Sequence, residues 1–311
     1  MRIVRIWGGL GNQMYQYAFG KGLENHTGES ILYDVNVLAK KCQSNSSIGD
    51  NGIPSRFLEL THFPNIKLKL ASYGQIDQSL GGSKNILSKV KRALNRWFRL
   101  RISVPDERDF WITDALEGRA LEDEDKWPLA GPKSYYAGYW QHISYFAEVE
   151  DDLRRDFQFP EMDDEFNRRI SKQIATCSCP VCLHVRRGDY LNANWEISSN
   201  FYQKAVEYIV SHVDNPTFFI FGQNCDEFIG NELHINSPAV IVGNENTRLN
   251  QDFRDMQLMS LCRHHIIANS SFSWWAAWLA KWNGQIVVYP SPWIEGKDHD
   301  CPQSWKKIVW V

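Results

Sequence analysis

Two kinds of hydrophobic pattern divide the chain. In its second half, short unbroken apolar runs recur: "VCLHV" (181–185), "TFFIFG" (217–222), "AVIVG" (239–243), "HIIANS" (265–270) and "QIVVYP" (285–290). Runs of that length without polar alternation are strands buried on both faces. Between several of them apolar residues fall at helical spacing, over 199–212, 250–263 and 272–283. Strands alternating with helices predict a parallel sheet covered on both sides. The first half opens the same way. Strand "RIVRIW", turn "GGLGNQ", helix "MYQYAFGKGLENHTG" and strand "SILYD" make a βαβ unit. Beyond it the pattern weakens. Residues 40–60 read as loop, "NIKLKLAS" as a strand, "YYAGYW" (135–140) as another, and "ISYFAEVEDDLRRDF" as a helix. A proline and an acidic first turn in "FQFPEMDDE" (157–165) end that helix and open the next, which sets the domain boundary. The expected division is an N-terminal Rossmann-like domain (1–160), a C-terminal Rossmann-like domain (161–290), and a tail (291–311) packing back on the N-terminal domain.

Composition narrows the function. The chain has 311 residues, 43% of them hydrophobic, enough for a large buried core. A formal charge of −3 supplies no global basic field, which argues against a nucleic-acid partner. The N-terminus reads as strand and turn, and no apolar window approaches a membrane span, so a cytoplasmic location is expected. Seven cysteines, an odd number spread over a large chain, fit a reducing compartment. The cluster "CSCPVC" (177, 179, 182) lacks the four ligands of a structural zinc, so buried thiols are expected there and no metal. Without a secretion signal, the sequons at Asn25, Asn45 and Asn269 are chance matches. The stretch 83–101 carries seven Lys/Arg and no acid, with apolar residues at helical spacing. Two readings of this basic amphipathic helix (84–101) stay open: a solvated face, or peripheral contact with the anionic inner membrane.

Candidate chemistry concentrates at strand ends. In "HVRRGDY", Arg186 and Arg187 emerge from the carboxyl end of an apolar strand, where open α/β sheets bind ligands. Guanidinium is a fork of permanent donors suited to phosphate, and Asp189 stands ready to aim one of the pair. After "HIIAN", Ser270, Ser271 and Ser273 open an apolar helical run, and helix N-termini bind phosphate. Together the two features outline a pyrophosphate pocket. The turn "GGLGNQM" lacks the third glycine of a dinucleotide fingerprint, although Asp34 ends the next strand near the spacing of a ribose-binding carboxylate. Asn12 and Gln13 offer side-chain amides there instead.

Four segments, "GGLGNQMYQYAFGKGLE", "YYAGYWQ", "HVRRGDY" and "LMSLCRHHIIANSSFSWWAAWL", resemble the signature blocks of the bacterial α-1,2-fucosyltransferases of glycosyltransferase family 11. The likeness runs through nearly the whole chain in order. It implies a GT-B-like fold, two Rossmann-type domains facing a central cleft, with the acceptor on the N-terminal side. It implies GDP-β-L-fucose as donor, no required metal or other cofactor, and the 2-hydroxyl of a terminal galactose of an oligosaccharide as acceptor. Carried over, His184 contacts the nucleotide, Arg186 and Arg187 hold the diphosphate, and Ser270, Ser271 and Phe272 line its pocket. Gly11, Asn12 and Gln13 reach toward phosphate and sugar. Candidate bases are Asp189, Glu196 and His142. The sequence departs from the family at 222–224, where "GQN" replaces an acidic stretch and puts base recognition on Gln223 and Asn224. Two other classes compete: a nicotinamide oxidoreductase built on the N-terminal glycines and Asp34, and a non-enzymatic sugar-binding or membrane-scaffold protein built on the aromatic residues and the basic helix.

Overall fold

A computed structural model describes residues 1–36, 38, 57–79, 111–112, 134–186, 196–222, 225–242, 251–294, 298–299 and 301–310. The chain forms two units. The first holds 1–8, 12–58 and 66–153; the second holds 9–11, 59–65 and 154–311. The division thus falls at 153/154 rather than at 160, and two short N-terminal pieces belong with the second unit. One of them is explained by packing, since Phe63 sits among Phe157, Phe159 and Phe253.

In the first unit, β1 (Arg2–Arg5) leads into α1 (Leu10–Thr27) and β2 (Ile31–Asp34). With β3 (Trp111–Ile112) and β4 (Ser134–Tyr136) they make a four-stranded sheet in the order β2-β1-β4-β3, parallel throughout. A short helix, α2 (Tyr73–Ser79), follows the segment read as "NIKLKLAS". That segment is no strand: it touches the sheet through a single bridge, Tyr33 to Leu70. Gly8, at a φ of 82°, makes the turn after β1, so the helix starts at Leu10 and not at Met14. The expected helix over 143–157 is instead two 3₁₀ turns, Ile143–Tyr145 and Ala147–Val149, followed by α3 (Glu150–Asp156), along which the chain passes into the second unit.

The second unit contains α4 (Glu165–Thr176), β5 (Pro180–Val185), α5 (Ser199–His212), β6 (Thr217–Gly222), α6 (Cys225–Asn231) and β7 (Ala239–Val242). It continues with α7 (Gln251–Leu261), β8 (His264–Ile266), α8 (Ser271–Leu279), β9 (Val287–Ser291) and β10 (Lys306–Val309). The six strands are parallel in the order β10-β9-β8-β5-β6-β7. All six residues of β5 are buried, as its continuous apolar pattern requires. Val181, Leu183 and Val185 pack into one core with Phe201, Ala205 and Ile209 of α5. By the two-residue alternation of a strand, Cys182 and His184 point to the opposite face. The two units are therefore both Rossmann-type α/β folds, the pair of domain types that a GT-B-like architecture requires.

The tail departs from expectation. Instead of returning to the N-terminal domain, Lys306–Val309 pairs with Val288–Ser291 as the edge strand of the second sheet. The outer edge of β9 presents backbone groups that need partners, and β10 satisfies them. Trp310 reinforces the join by donating its indole N–H to the Pro292 carbonyl at 2.8 Å. No helix among the described residues is long and apolar enough to cross a membrane. The basic segment 84–101 lies outside the described residues.

Candidate functional site

The strand order of the second sheet fixes where a ligand fits. From β5 the chain moves outward through β6 and β7, then returns to place β8 against the other side of β5. The connections leaving β5 and β8 thus diverge, which opens a crevice at their carboxyl ends. Arg186 directly follows β5, and Ile267 to Ser270 lead from β8 into α8. The two motifs that sequence alone singled out flank one switch point.

On the β5 side, His184 is almost fully buried and its ring lies 5.7 Å from that of Phe272 in α8. Burial, with the neighbouring Arg186 guanidinium, pushes its pKa down to about 3, so the imidazole is neutral near pH 7. Its Nδ1 has no hydrogen-bond partner among the described residues. A buried ring nitrogen left this way is costly unless a bound group completes it. Arg186 is half-buried beside it.

On the β8 side, Ser270 is the N-cap of α8, yet its hydroxyl makes no capping bond. Two other helices of this unit are capped conventionally: Asp164 accepts from Asn167 N in α4, and Ser198 from Asn200 N in α5. Nor does α8 carry an acidic residue in its first turn. Ser273 turns inward, donating to the Ala268 and Ser270 carbonyls. The Ser270 hydroxyl therefore does not cap the positive end of α8. Gly11 lies directly against this end. A Cβ there would come within 2.6 Å of Phe272 N and of Ser271 C, both backbone atoms. Only glycine permits that approach. A guanidinium, a helix N-terminus and a neutral imidazole around one crevice make a receptor for a dianion carrying a polar heteroaromatic or sugar substituent.

The histidines that follow are structural. His265 Nε2 donates to the Met259 carbonyl and its Nδ1 accepts from Gln285, while His264 Nδ1 accepts from Ile286 N. Burial lowers both pKa values to about 4. Cys182 and Cys262, fully buried, have thiol pKa values pushed well up, as inert thiols do. No group of metal-ligating residues occurs among the described residues.

Other expected site residues fare differently. Gln13 does not offer its amide to a ligand: Nε2 donates to the Gly8 carbonyl at 2.9 Å and to the Phe57 carbonyl at 2.7 Å, pinning the turn after β1. His142 is an N-cap, its Nδ1 accepting from Ser144 N, and this takes it out of the set of bases. Asp34 accepts from Tyr135 Oη at 2.7 Å and from Asn36, so its carboxylate is committed within the first unit rather than available to a ribose. Burial, and after it the hydrogen bond to Asp34, raise the Tyr135 phenol far above its usual range. Asn12 Oδ1 accepts from Gln141 Nε2 at 2.8 Å. Glu196 is half-buried two residues before the N-cap of α5. Arg187, Asp189, Gln223 and Asn224 lie outside the described residues. Sequence reasoning missed Gln141 and Gln16, which ties Trp7 N to the Gly138 carbonyl; "YYAGYW" (135–140) reads as a strand, whereas the strand ends at Tyr136 and the rest is a loop that carries these contacts.

The profile described as glycosyl transferase family 11 matches residues 3–311. An alpha-1,2-colitosyltransferase of Escherichia coli is 27% identical over 98% of both chains. A galactoside alpha-(1,2)-fucosyltransferase 1 of Oryctolagus cuniculus is 26% identical over 66% of this chain and 57% of its own. The crystal structure of the fucosyltransferase NodZ from Bradyrhizobium superposes with a TM-score of 0.42 at 13% identity, covering 89% of this chain and 92% of that one.

Proposed function

Because the chain belongs to glycosyl transferase family 11 and is thereby a glycosyltransferase, we propose that it moves L-fucose from GDP-β-L-fucose to the 2-hydroxyl of a terminal β-galactose. The reaction is a single displacement with inversion and needs no metal ion. The galactose O2 attacks the anomeric carbon as the bond to the β-phosphate oxygen breaks. The electron pair leaves with GDP, the hydroxyl proton passes to a base, and an α-fucoside results. A deoxy sugar reaches an oxocarbenium-like transition state readily, so much of the barrier lies in stabilising the departing diphosphate. Fixed donors aimed at that charge are the economical solution.

One observation carries the reading: Arg186 and the uncapped N-terminus of α8 stand on adjacent strands at the switch point of the second sheet. In this assignment Arg186, with Arg187, holds the diphosphate. The Ser271–Phe272 amides meet it from the other side, and His184 Nδ1 is completed by the nucleotide or its sugar. Asp189 orients an arginine. With His142 committed to a helix cap, Glu196 remains the described candidate for the base.

A second donor is favoured by the full-length likeness to the colitosyltransferase. Colitose is fucose without its 3-hydroxyl, so the same diphosphate site serves both. The deciding experiment supplies purified protein with GDP-fucose or its 3-deoxy analogue and a panel of β-galactosides in EDTA, followed by linkage analysis. Transfer of fucose to O2 without added metal is expected, as is thermal protection by GDP and not by NAD(P)H. Preference for the 3-deoxy donor selects the second reading. Strict dependence on Mg²⁺ or Mn²⁺, or protection by NAD(P)H alone, overturns both.

A further inference from the structure

The first sheet has its own reversal of strand order. The chain leaves β1 for β2 on one side, then crosses to β3 on the far side and enters β4 from there, so β1 and β4 lie side by side where the order turns. Trp7 follows β1, and the loop Ala137–Gln141 follows β4, so both stand at the carboxyl ends where such a sheet admits a ligand. The rings of Trp7 and Tyr139 stack there at 4.5 Å with 26° between their planes, and both residues are half-buried.

The pair is held from behind. Trp7 N donates to Gln16 Oε1 at 2.9 Å, and Gln16 Nε2 donates to the Gly138 carbonyl at 3.1 Å, which ties the two strand ends together. Trp7 Nε1 donates to the same carbonyl at 3.4 Å. The next residue is the unusual one. Trp140 adopts a φ of 55°, the left-handed region that a bulky side chain avoids. It is kept there by burial against Phe19, whose ring is stacked at 4.0 Å, and by Tyr136 and Tyr145 edge-on. Backbone strain of this kind persists where the surroundings over-determine it and gathers at ligand sites. Its consequence is directional: the chain turns between Tyr139, which lies on Trp7, and Gln141, which donates to Asn12. Arg5 lies 5.7 Å from the Trp7 ring. The surface therefore joins an aromatic face to a rim of amide and guanidinium groups.

We propose that Trp7 and Tyr139 form the stacking platform for the galactopyranose of the acceptor, with Gln141, Asn12 and Arg5 meeting its hydroxyls. A pyranose has an apolar C–H face and a polar rim, and galactose, with its axial 4-hydroxyl, presents a continuous C–H patch on one side. That is the complement of this surface. The inference rests on the glycosyl-transfer reading for its occupant and not for its geometry.

Tyr139→Leu removes the ring while keeping an apolar side chain, and Tyr139→Phe keeps the ring. Tyr139→Leu should raise KM for the galactoside about tenfold, the scale of one aromatic contact, and leave KM for the donor within about twofold. Tyr139→Phe should restore the acceptor KM. An unchanged acceptor KM in Tyr139→Leu overturns the platform, and so does a rise in donor KM instead, which would mean that the pair stacks the nucleotide base. A second measurement needs no variant and no turnover: saturation transfer from aromatic protons of the wild-type protein to a bound methyl β-galactoside. Transfer to the galactose ring protons supports the platform, and its absence rejects it. If the protein transfers a sugar other than fucose, this result still stands or falls on its own, so failure of the donor assignment and failure of the platform are distinguishable.

Discussion

Arg186 is the residue on which the donor assignment turns. It follows a strand buried along its whole length, next to an imidazole that its charge helps to keep neutral. A guanidinium there is expensive to desolvate without an anion, and its planar fork can hold two phosphate oxygens at once. Lysine supplies the charge without the fork. Arg186→Lys should therefore lower turnover by about 10²–10³, the usual effect of losing one oriented donor at a developing charge. Its melting temperature should stay within a few degrees of wild type. Near-normal turnover measured at saturating donor overturns the assignment. Arg186 was legible in sequence because guanidinium so rarely interrupts an apolar run. Gln13 was not, since an amide looks the same whether it faces a ligand or a carbonyl. Only the folded turn, which brings the Gly8 and Phe57 carbonyls to its Nε2, decides that it is structural.

At the scale of elements, the informative contact is that of Gly11 with the first turn of α8. The atoms that an added Cβ would meet are backbone and cannot swing aside as a side chain does. Gly11→Ala must shift the Ser271–Phe272 peptide, whose N–H groups the diphosphate is proposed to use. Overpacking of this sort costs about 1–3 kcal/mol, so GDP affinity by calorimetry should fall about tenfold or more, well beyond any loss in helix content. Unchanged affinity would mean that this peptide lies outside the donor site. The elements themselves were legible to different degrees for physical reasons. β5, β6 and α5 were read nearly to the residue, because a strand covered on both faces and a helix with one buried stripe leave clear periodicities. β10, "KKIV", was missed because an edge strand with an exposed face shows little apolar content; its stability comes from pairing with β9, a long-range fact. The start of α1 was displaced because its first turn contains a glycine that sequence assigns to the loop, whereas the turn is made by Gly8.

For the whole molecule, the two units should differ in their response to acid. The histidines with clearly depressed pKa values, His62, His184, His264 and His265, all belong to the second unit, the last three on the adjacent strands β5 and β8. The first cause in each is burial, which penalises the charged ring. Above the unfolded value of 6.5 these rings are neutral in both states and cost nothing. As pH falls through 6.5 toward about 4, the unfolded chain takes up protons that the folded unit refuses, so stability drops. The limiting slope is about 1.4 kcal/mol per histidine for each pH unit. Asp164 and Asp298, also in the second unit, have carboxyls held below the usual range by hydrogen bonds, and their contribution is lost only at still lower pH. Among the described residues of the first unit, Tyr135 and Tyr139 are displaced upward and are therefore silent in acid. Hydrogen exchange, corrected for its intrinsic pH dependence, should show amides of β5 and β8 losing protection between pH 7 and 5 while those of β1 and β2 hold. Saturating GDP, the proposed ligand of the folded second unit, should restore protection there at pH 5 by mass action. Loss that begins in the first unit, or restoration by GDP spread equally over both, would contradict the placement of both the buried histidines and the donor groups in one cooperative unit.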